Sequence, residues 1–446
     1  MKNITCLVLA FLLNYNFMMA QSPTNKLNFQ EKNTVINTFC KLLNENYVYP
    51  DKAINICEAL MSNNQNGKYD SLVNPNSLAQ ELNKDIRSLY IDKHLLIDYN
   101  PELEKDINIF NASKTGKTKI LNQDDSEDRK KNYFFKKLEI LPSNIGYMEF
   151  TNFSKLSTSV SKTIHASMQF LSNTDALIID LRNNRGGNGE TAGEILSYFF
   201  EGKQKTGKTF NRMTNKWTDN FVENKKTITG GLLMKMPIYI LTSDQTYLAA
   251  ESFAYILQTI KNATVIGDRT RGGAHIARSF SIGNGFVCFI PYARSENIIT
   301  KTDWEVKGVI PKLKVEDDKC LSIAKEVILE AKLKSAKNES ERNQIQYLVN
   351  YYKSKNVKFA IDSAIIQKFV GKYEYFEVTV SNNQLYFMDT KNFKKAVDMI
   401  PISNTLFQIG YDYQVEFIIS KNSGDCTGMK MFWDDGYEEI ISKSNK

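Results

Sequence analysis

The strongest constraint on the fold is a pair of short, nearly continuous apolar runs in the middle of the chain. The runs "ALIID" at 176–180 and "PIYIL" at 237–241 show no alternation of apolar and polar residues. Such runs are typical of parallel strands covered by helices on both faces, because a strand with one wet face alternates instead. The segment 132–316 is therefore predicted to form an α/β core.

The same segment alternates β-rich runs with stretches of helical periodicity. Helices are predicted at Ser157–Leu171, Glu190–Phe200 and Ala249–Lys261. This succession of strands and helices is typical of an α/β layer architecture. The expected strands are, in chain order, "KKLEIL", "IGYMEF", "ALIIDL", "MPIYIL" and "ATVIG".

Helical periodicity dominates the N-terminal side of this core. Within residues 25–100, apolar residues recur three and four positions apart, as in Val35, Ile36 and Phe39. Turn-forming stretches divide this region into a bundle of about three helices. The following residues, 101–131, are mostly polar and charged, so a mobile surface linker is expected there.

The C-terminal side divides into two further segments. Residues 317–360 are rich in lysine and glutamate and have helical periodicity, which predicts a helical connector. From 361 to 446, short β-rich runs are separated by Asn-Asn, Gly and Ser-Gly turns. This pattern predicts a small antiparallel β domain, either a barrel or a sandwich.

The first twenty residues are set apart from the folded chain. One lysine precedes an apolar run from Ile4 to Leu13, which is too short to span a bilayer and is typical of a secretory signal peptide. Cleavage is expected near Ala20, so the mature chain should be exported to the periplasm or the extracellular space. Five dispersed cysteines remain after removal of the signal, and they form neither a disulfide framework nor a metal-binding pattern.

The charge of the chain bears on its partners. There are 57 Lys and Arg against 50 Asp and Glu, a net charge of +7 that is spread along the sequence. Binding to a phosphate backbone requires clustered cations, so no nucleic-acid partner is expected. No membrane span, cofactor or metal site is predicted either.

Two turns between a strand and a helix could carry chemistry. At the first, Gly186 and Gly187 let the backbone turn so that amides can point at an anion, as an oxyanion hole requires. A simple connecting turn is an equally weighted alternative. At the second, Ala249 begins a helix whose free amides would stabilise an anion placed just before it. The residue there is Leu248, which offers neither a proton nor a lone pair.

The chain has only three histidines, so each is weighed separately. His94 follows the helical bundle at the start of a predicted strand, and His275 follows a pair of glycines. Because each adjoins a chain turn, a functional and an ordinary structural role are equally weighted for both. His165 lies in the middle of a predicted helix and is interpreted as a surface residue.

Five motifs in series resemble the tail-specific (C-terminal-processing) serine peptidases. They are "NIGYMEF", "DALIIDLRNNRGG", "ILTSDQTYLAAESFAYIL", "TVIGDRTRGGAH" and "WEVKGVIP". The chain is most similar to the branch that includes interphotoreceptor retinoid-binding protein, and the resemblance extends over nearly the whole mature chain. It implies a central spiral of repeated ββα units, as in crotonase-like and tail-specific-protease-like cores.

The resemblance also implies roles for individual residues. His94 would be the base, and Glu305 would help to orient the site. Oxyanion amides would come from the Gly186–Gly187 turn and from Ala249. The nucleophile position falls on Leu248, since the family motif Thr-x-Ser-Ala-x-Glu here reads "TYLAAE".

Two further positions depart from the family pattern. Gly273 stands where the serine-lysine branch carries its lysine base, which fits the histidine-using branch, and Lys312 stands where aspartate is usual. Ser243 and Ser252 are the nearest alternative hydroxyls along the chain, but each would have to attack from several ångströms away. Since a misplacement of ~1 Å can slow catalysis about a hundredfold, neither is expected to replace the serine.

These observations support three hypotheses. The first is a pseudopeptidase that binds a polypeptide or a small apolar ligand in the retained cleft. The second is an active serine-type endopeptidase with a non-standard nucleophile, because the histidine, the glutamate and the glycine turn are all present. The third is that the C-terminal β domain binds the partner and the α/β core serves as a scaffold.

Overall fold

The computed structural model describes residues 26–112, 126–223, 233, 235–356, 358–391 and 395–444. The expected signal peptide and its cleavage near Ala20 lie outside these residues. The chain divides into two compact units, with the boundary between Lys314 and Val315. Among the described residues no helix is both long and apolar enough to cross a membrane.

Polar caps set where several helices of the first unit begin. The Asn28 side chain accepts a hydrogen bond from the Glu31 amide while the Glu31 carboxylate accepts one from the Asn28 amide, which closes a capping box. The side chains of Asn74 and Ser157 each accept a hydrogen bond from a backbone amide in the first turn of another helix. The described helices of this unit are α1 (Phe29–Asn46), α2 (Pro50–Gln65), α3 (Pro75–Leu89), α4 (Pro101–Ala112), α5 (Ser126–Lys130), α6 (Thr158–Leu171), α7 (Gly189–Ser197) and α8 (Ala249–Ile260), with a 3₁₀ turn at Asn132–Phe134.

Helix α4 lies in the segment 101–131, where the composition predicts a mobile linker. Its residue Glu104 accepts hydrogen bonds from the Ser281 hydroxyl and the Gly285 amide. These contacts tie α4 to a β-hairpin far along the chain, so this part of the segment is helical rather than a mobile linker. Composition alone contains no signal for a contact of this kind. Residues 113–125 lie outside the described part of the chain.

The described residues of the first unit form two sheets. One is a six-stranded sheet in the order β11-β8-β7-β4-β3-β2, parallel except for the antiparallel pair β2–β3. All residues of β4 and β7 are buried, as their continuous apolar runs predict. The strands of the unit are β1 (Leu96–Tyr99), β2 (Phe135–Leu141), β3 (Ile145–Phe150), β4 (Ala176–Asp180), β5 (Lys203–Asn211), β6 (Lys216–Glu223), β7 (Ile238–Thr242), β8 (Thr264–Gly267), β9 (Ile276–Gly283), β10 (Phe286–Asn297) and β11 (Leu313–Lys314).

The other sheet is antiparallel, and apart from β1, which corresponds to the strand predicted at His94, its strands are not among the predicted elements. Its order is β1-β10-β5-β6, and β9 also pairs with β10. Strands β5 and β6 are mostly polar. Most residues of β5 are partly exposed and most of β6 are exposed, so both strands lack the apolar alternation that identifies a strand. The three predicted N-terminal helices share a core with this sheet, in which Phe39 and Leu43 join Phe286 and Ile290.

The second unit combines helices with one antiparallel sheet. Eight strands follow one another from β12 to β19, and each pairs with the next to give a barrel-like arrangement. This confirms the predicted small antiparallel domain, and the α/β class of the whole chain is confirmed with it. The elements are α9 (Cys320–Lys334), α10 (Glu339–Asn356), α11 (Ser363–Phe369), β12 (Gly371–Tyr373), β13 (Phe376–Ser381), β14 (Gln384–Asp389), β15 (Val397–Pro401), β16 (Leu406–Ile409), β17 (Tyr413–Ile419), β18 (Cys426–Trp433) and β19 (Glu438–Ser442).

Candidate functional site

Leu248 occupies a strained corner between strand β7 and helix α8. Its φ is 52° and its ψ is −117°, outside the regions that side chains with a Cβ normally adopt. Strain of this kind is of order 1–3 kcal/mol and persists only where the surrounding contacts fix the backbone. A strained strand-to-helix turn is the geometry with which hydrolases display a nucleophile. Here the displayed side chain is leucine, and it is partly exposed.

Glu251 in the first turn of α8 fixes this corner. Its Oε1 accepts hydrogen bonds from Thr270 Oγ1 at 2.6 Å and from the Gly272 amide at 2.5 Å. Its Oε2 accepts from the amides of Leu248 at 3.0 Å and Gly273 at 2.9 Å. The residue is fully buried, and burial raises the pKa of Glu251 although the four hydrogen bonds oppose the rise. One carboxylate therefore joins the corner to the loop that follows β8.

The predicted glycine turn lies against the same corner. Gly186 has φ 98° and Gly187 has φ 121°, both in the region that favours glycine. A Cβ on Gly186 would lie 2.8 Å from Leu248 Cβ and 3.1 Å from the Ala249 nitrogen, so no side chain fits there. The Gly186 amide donates to Asn184 Oδ1, whereas the amides of Gly187 and Ala249 meet no acceptor among the described residues.

His94 faces the corner through a tyrosine. Its Nε2 lies 3.0 Å from the Tyr247 hydroxyl, and the two rings stack at an interplanar angle of 12°. Its Nδ1 is buried, has no hydrogen-bond partner within the described chain, and lies 4.0 Å from Glu305 Oε2. Burial, reinforced by the charges of His275 and Lys93, lowers the pKa of His94 to about 4. The imidazole is therefore neutral at pH 7.

Tyr247 fills the space between the histidine and the corner. The guanidinium of Arg271 lies 5.2 Å from the centre of its ring, and only 5% of the residue is exposed. A Cβ on Gly273 would collide with the Tyr247 ring and lie 2.8 Å from His94 Cε1. A lysine at position 273, as in the serine-lysine branch, is therefore incompatible with this packing.

Glu305 lies behind His94, as the family resemblance implies. Its Oε2 accepts hydrogen bonds from the amides of Ala274 at 2.5 Å and His275 at 3.1 Å. Its Oε1 is buried and has no hydrogen-bond partner in the described chain. Burial raises the pKa of Glu305, and the charge of His275 opposes that rise. The carboxylate is thus positioned beside His94 but makes no hydrogen bond to its ring.

Asp92 and His275 form a buried pair that the sequence analysis did not predict. Asp92 Oδ2 lies 2.8 Å from His275 Nδ1 and accepts a hydrogen bond from the Tyr47 hydroxyl, while Oδ1 accepts from the His94 amide at 3.0 Å. Burial lowers the pKa of His275, but the carboxylates of Asp92 and Glu305 outweigh it, so the net shift is upward. The signals in the sequence are an aspartate two residues before His94 and the position of His275 after a pair of glycines.

This cluster also has the composition of a metal site. One ligand atom from each of Asp92, His275 and Glu305 lies within 4.8 Å of the others. Asp92 and His275 are already hydrogen-bonded to each other, and Asp92 accepts from Tyr47 as well. A cation would have to displace these bonds, so hydrogen bonding and charge pairing account for the cluster as it stands.

The remaining candidates take structural positions. The Ser243 hydroxyl donates to the Arg182 carbonyl at 2.5 Å, and the residue is 2% exposed. Ser252 lies one turn into α8, where its amide donates to the Leu248 carbonyl. His165 is on an exposed face of α6, next to a tyrosine hydroxyl. The sequence-predicted residues that meet at one place are therefore His94, Glu305, Leu248, Ala249 and the glycine turn.

Comparison with known proteins gives two matches to family models. Residues 144–315 match the model described as peptidase family S41, and residues 27–139 match the model described as the N-terminal domain of peptidase S41 in eukaryotic IRBP. All five motifs lie within the segment 144–315. His94 lies within residues 27–139, whereas the corner, the glycine turn and Glu305 lie within residues 144–315.

Three solved structures match parts of this chain. A Parabacteroides merdae protein that is described as a peptidase is 19% identical, with 64% of this chain and 90% of that chain covered and a TM-score of 0.45. A lipoprotein from Streptococcus agalactiae is 15% identical, with coverage of 68% and 97% and a TM-score of 0.43. The tricorn protease is 14% identical, with coverage of 65% and 34% and a TM-score of 0.37.

Proposed function

Since the chain belongs to peptidase family S41, we propose that it is an exported pseudopeptidase of the branch that includes interphotoreceptor retinoid-binding protein. It binds a polypeptide, or a small apolar ligand, at the site around Leu248 without cleaving it. The observation that carries the proposal is the leucine itself, held at a strained corner with the rest of the frame around it.

The chemistry of the corner supports this function. Acyl transfer needs a nucleophile that loses its proton to an adjacent base, and the aliphatic side chain of Leu248 has no such proton. Removing the nucleophile from a well-studied serine protease slows turnover about 10⁶-fold, which leaves only the contribution of binding and the oxyanion hole. The amides of Gly187 and Ala249 can still donate to a bound carbonyl or carboxylate.

The state of His94 supports it further. A catalytic base must direct its free nitrogen at the nucleophile, within hydrogen-bond reach. Here Nε2 is engaged by the Tyr247 hydroxyl, and Nδ1 lies 4.0 Å from Glu305 without a hydrogen bond. The base and its orienting carboxylate are therefore arranged as packing partners rather than as a proton relay.

The competing proposal is an active serine-type endopeptidase with a non-standard nucleophile. The hydroxyl nearest to His94 Nε2 among the predicted and observed site residues is that of Tyr247, at 3.0 Å. Tyr247 is almost completely buried, and burial raises its pKa, so both access and ionisation are unfavourable. The Ser243 hydroxyl is buried and donates to a carbonyl instead.

A fluorophosphonate probe tests these two proposals directly. The protein should remain unlabelled and should leave unfolded casein uncleaved, while casein binding is measurable by fluorescence anisotropy. The matched control is His94→Ala, which should behave like the unmodified protein in labelling. Labelling of the unmodified protein that disappears in His94→Ala would overturn the pseudopeptidase.

Export is tested separately from activity. Expression of the full chain with its first twenty residues should give a secreted product whose N-terminal residue lies near Gln21. N-terminal sequencing of that product provides the measurement. Retention of the intact N-terminus inside the cell would contradict this part of the proposal.

A further inference from the structure

A cleft of about 650 Å³ lies in the first unit, with Lys93, Thr270 and Arg271 among its lining residues. Its volume lies within the range of small-ligand sites, roughly 300–1,000 Å³. Two of its lining residues connect it to the site, because Lys93 precedes His94 and the Arg271 guanidinium stacks on Tyr247. The charged lining residues are the cations Lys93, Arg269, Arg271 and Lys314 and the carboxylates Asp244 and Asp268.

The cations of the cleft remain accessible. Lys93 donates one hydrogen bond to the Arg271 carbonyl. A lysine ammonium has three N–H donors, so the other two can still donate to a ligand. Arg269 is exposed, and the Lys314 side chain is 83% exposed and lies 3.9 Å from Asp268. An ion pair of this exposure is weak, so it does not prevent the lysine from meeting a ligand.

We infer that this cleft binds the carboxylates of an acidic polypeptide segment. The inference rests on the proposed function and specifies the ligand of that site. Guanidinium groups such as those of Arg269 and Arg271 form paired hydrogen bonds with carboxylates, and lysine adds a point charge. The carboxylates of Asp244 and Asp268 accept hydrogen bonds from the backbone amides that an extended peptide presents. The mixture of charges thus matches a peptide with acidic side chains.

The same lining argues against other ligand classes. A phosphate backbone needs cations along its whole length, whereas the four cations here are confined to one cleft and interspersed with two aspartates, which suits a ligand with a few carboxylates. The apolar lining residues are Ile310 and Pro311, too few to enclose an apolar molecule. An acidic peptide is therefore favoured over a nucleic acid and over a small apolar ligand at this cleft.

The cleft and the corner share one hydrogen-bonded support. Thr270 lines the cleft and donates to Glu251 Oε1, and Glu251 accepts the Leu248 amide through its other oxygen. A peptide that occupies the cleft would therefore lie next to the region where Leu248 and the amide of Ala249 are displayed. The cleft is thus connected to the corner through the hydrogen bonds of Thr270 and Leu248 to Glu251.

Peptide binding to the full chain tests the inference. The probe is fluorescein-labelled hexaglutamate, measured by anisotropy at 50 mM and 500 mM salt, beside hexaglutamine, hexalysine and an oligothymidylate. Arg269→Gln and Lys314→Gln should each weaken hexaglutamate binding about two- to fivefold, since exposed charge pairs contribute roughly 0.2–1 kcal/mol. Arg129→Gln, an exposed arginine on helix α5, is the matched control and should bind as the unmodified protein does. High salt should weaken binding.

Each outcome decides the inference. Hexaglutamine that binds as tightly as hexaglutamate, or Arg269→Gln and Lys314→Gln that both match Arg129→Gln, would overturn it while leaving polypeptide binding as the proposed function. Stronger binding of the oligothymidylate would also overturn it. Probe labelling by the fluorophosphonate reagent, in contrast, contradicts the proposed function itself. Hexaglutamate with an amidated C-terminus should bind as tightly as the free peptide if only side-chain carboxylates are recognised. Weaker binding of the amidated peptide would show that the terminal carboxylate also contributes.

Discussion

Leu248 and Tyr247 together determine what the corner can do. Leu248 has the strained backbone of a displayed nucleophile, and Tyr247, one residue earlier, takes the Nε2 of His94. On the proposed function, two neighbouring side chains distinguish this site from that of an active serine peptidase. Restoring the serine alone leaves the base engaged with the tyrosine hydroxyl.

The first prediction concerns these two residues. Leu248→Ser should react slowly with a fluorophosphonate probe, and Leu248→Ser combined with Tyr247→Phe should react about fivefold faster. The reason is that a hydrogen bond of about 1 kcal/mol no longer holds His94 Nε2. Adding His94→Ala to the double variant should remove the gain. Equal labelling of the single and double variants would show that Tyr247 does not restrain the base.

The second prediction uses the lowered pKa of His94. Its folded pKa of about 4 lies below its unfolded value of 6.5, so the unfolded chain binds more protons between these values. The free energy of unfolding should therefore fall as the pH drops from 6.5 towards 4, by about 1–2 kcal/mol at pH 5. His275, whose pKa is raised, contributes with the opposite sign, and its stabilisation is lost as the pH rises through that raised value.

Urea unfolding at pH 7 and pH 5 measures this effect. His94→Gln should lose less stability between the two pH values than the unmodified protein does, because glutamine has no proton to gain. The nearby carboxylates Asp92 and Glu305 are present in both proteins, so their contributions to the pH dependence of stability largely cancel when the two proteins are compared. His165→Gln, at an exposed position on α6, is the control and should keep the full pH dependence. Identical pH slopes for His94→Gln and the unmodified protein would refute the assignment.

At the scale of secondary-structure elements, Glu251 joins helix α8 to the loop after β8. The third prediction is that Glu251→Gln destabilises the protein by about 2 kcal/mol, because the glutamine NH₂ group would face backbone N–H donors and leave them unpaired. Glu190→Gln, in the exposed first turn of α7, should change stability by less than about 0.5 kcal/mol. Denaturant titrations of both variants provide the comparison, and equal effects would show that the four hydrogen bonds do not hold the corner.

The sequence predicts some of these elements well and misses others for physical reasons. Strands such as β4 and β7 are continuous apolar runs, and α8 has an apolar stripe, so their local patterns are sufficient. Strands β5 and β6 are mostly polar, and most of their residues are partly or fully exposed, so the pattern that would reveal them is absent. The Asp92–His275 pair joins residues 183 positions apart, and only the fold brings them together. Motif resemblance located the corner because those residues lie close in sequence.

At the scale of the whole molecule, the chain consists of two units with separate cores. The core of the second unit includes Phe369 stacked on Phe417 with ring centres 4.1 Å apart, together with Tyr373 and Met431. The fourth prediction is that residues 315–446 fold alone, because this core is complete within them. Circular dichroism of the fragment should show β structure and a cooperative thermal transition. A gradual, non-cooperative loss of signal would contradict it.

The same division decides which unit binds the partner. The corner and the cationic cleft both lie within residues 26–314, since Lys314 is the last residue of the first unit. The fifth prediction is that a 26–314 fragment keeps the hexaglutamate affinity of the full chain within about threefold, while the 315–446 fragment binds at least tenfold more weakly. Anisotropy titrations of the two fragments test this. The reason for the expected ranking is that affinity follows the unit that contains the recognising charges. The opposite ranking would assign partner binding to the C-terminal β domain and make the α/β core its scaffold.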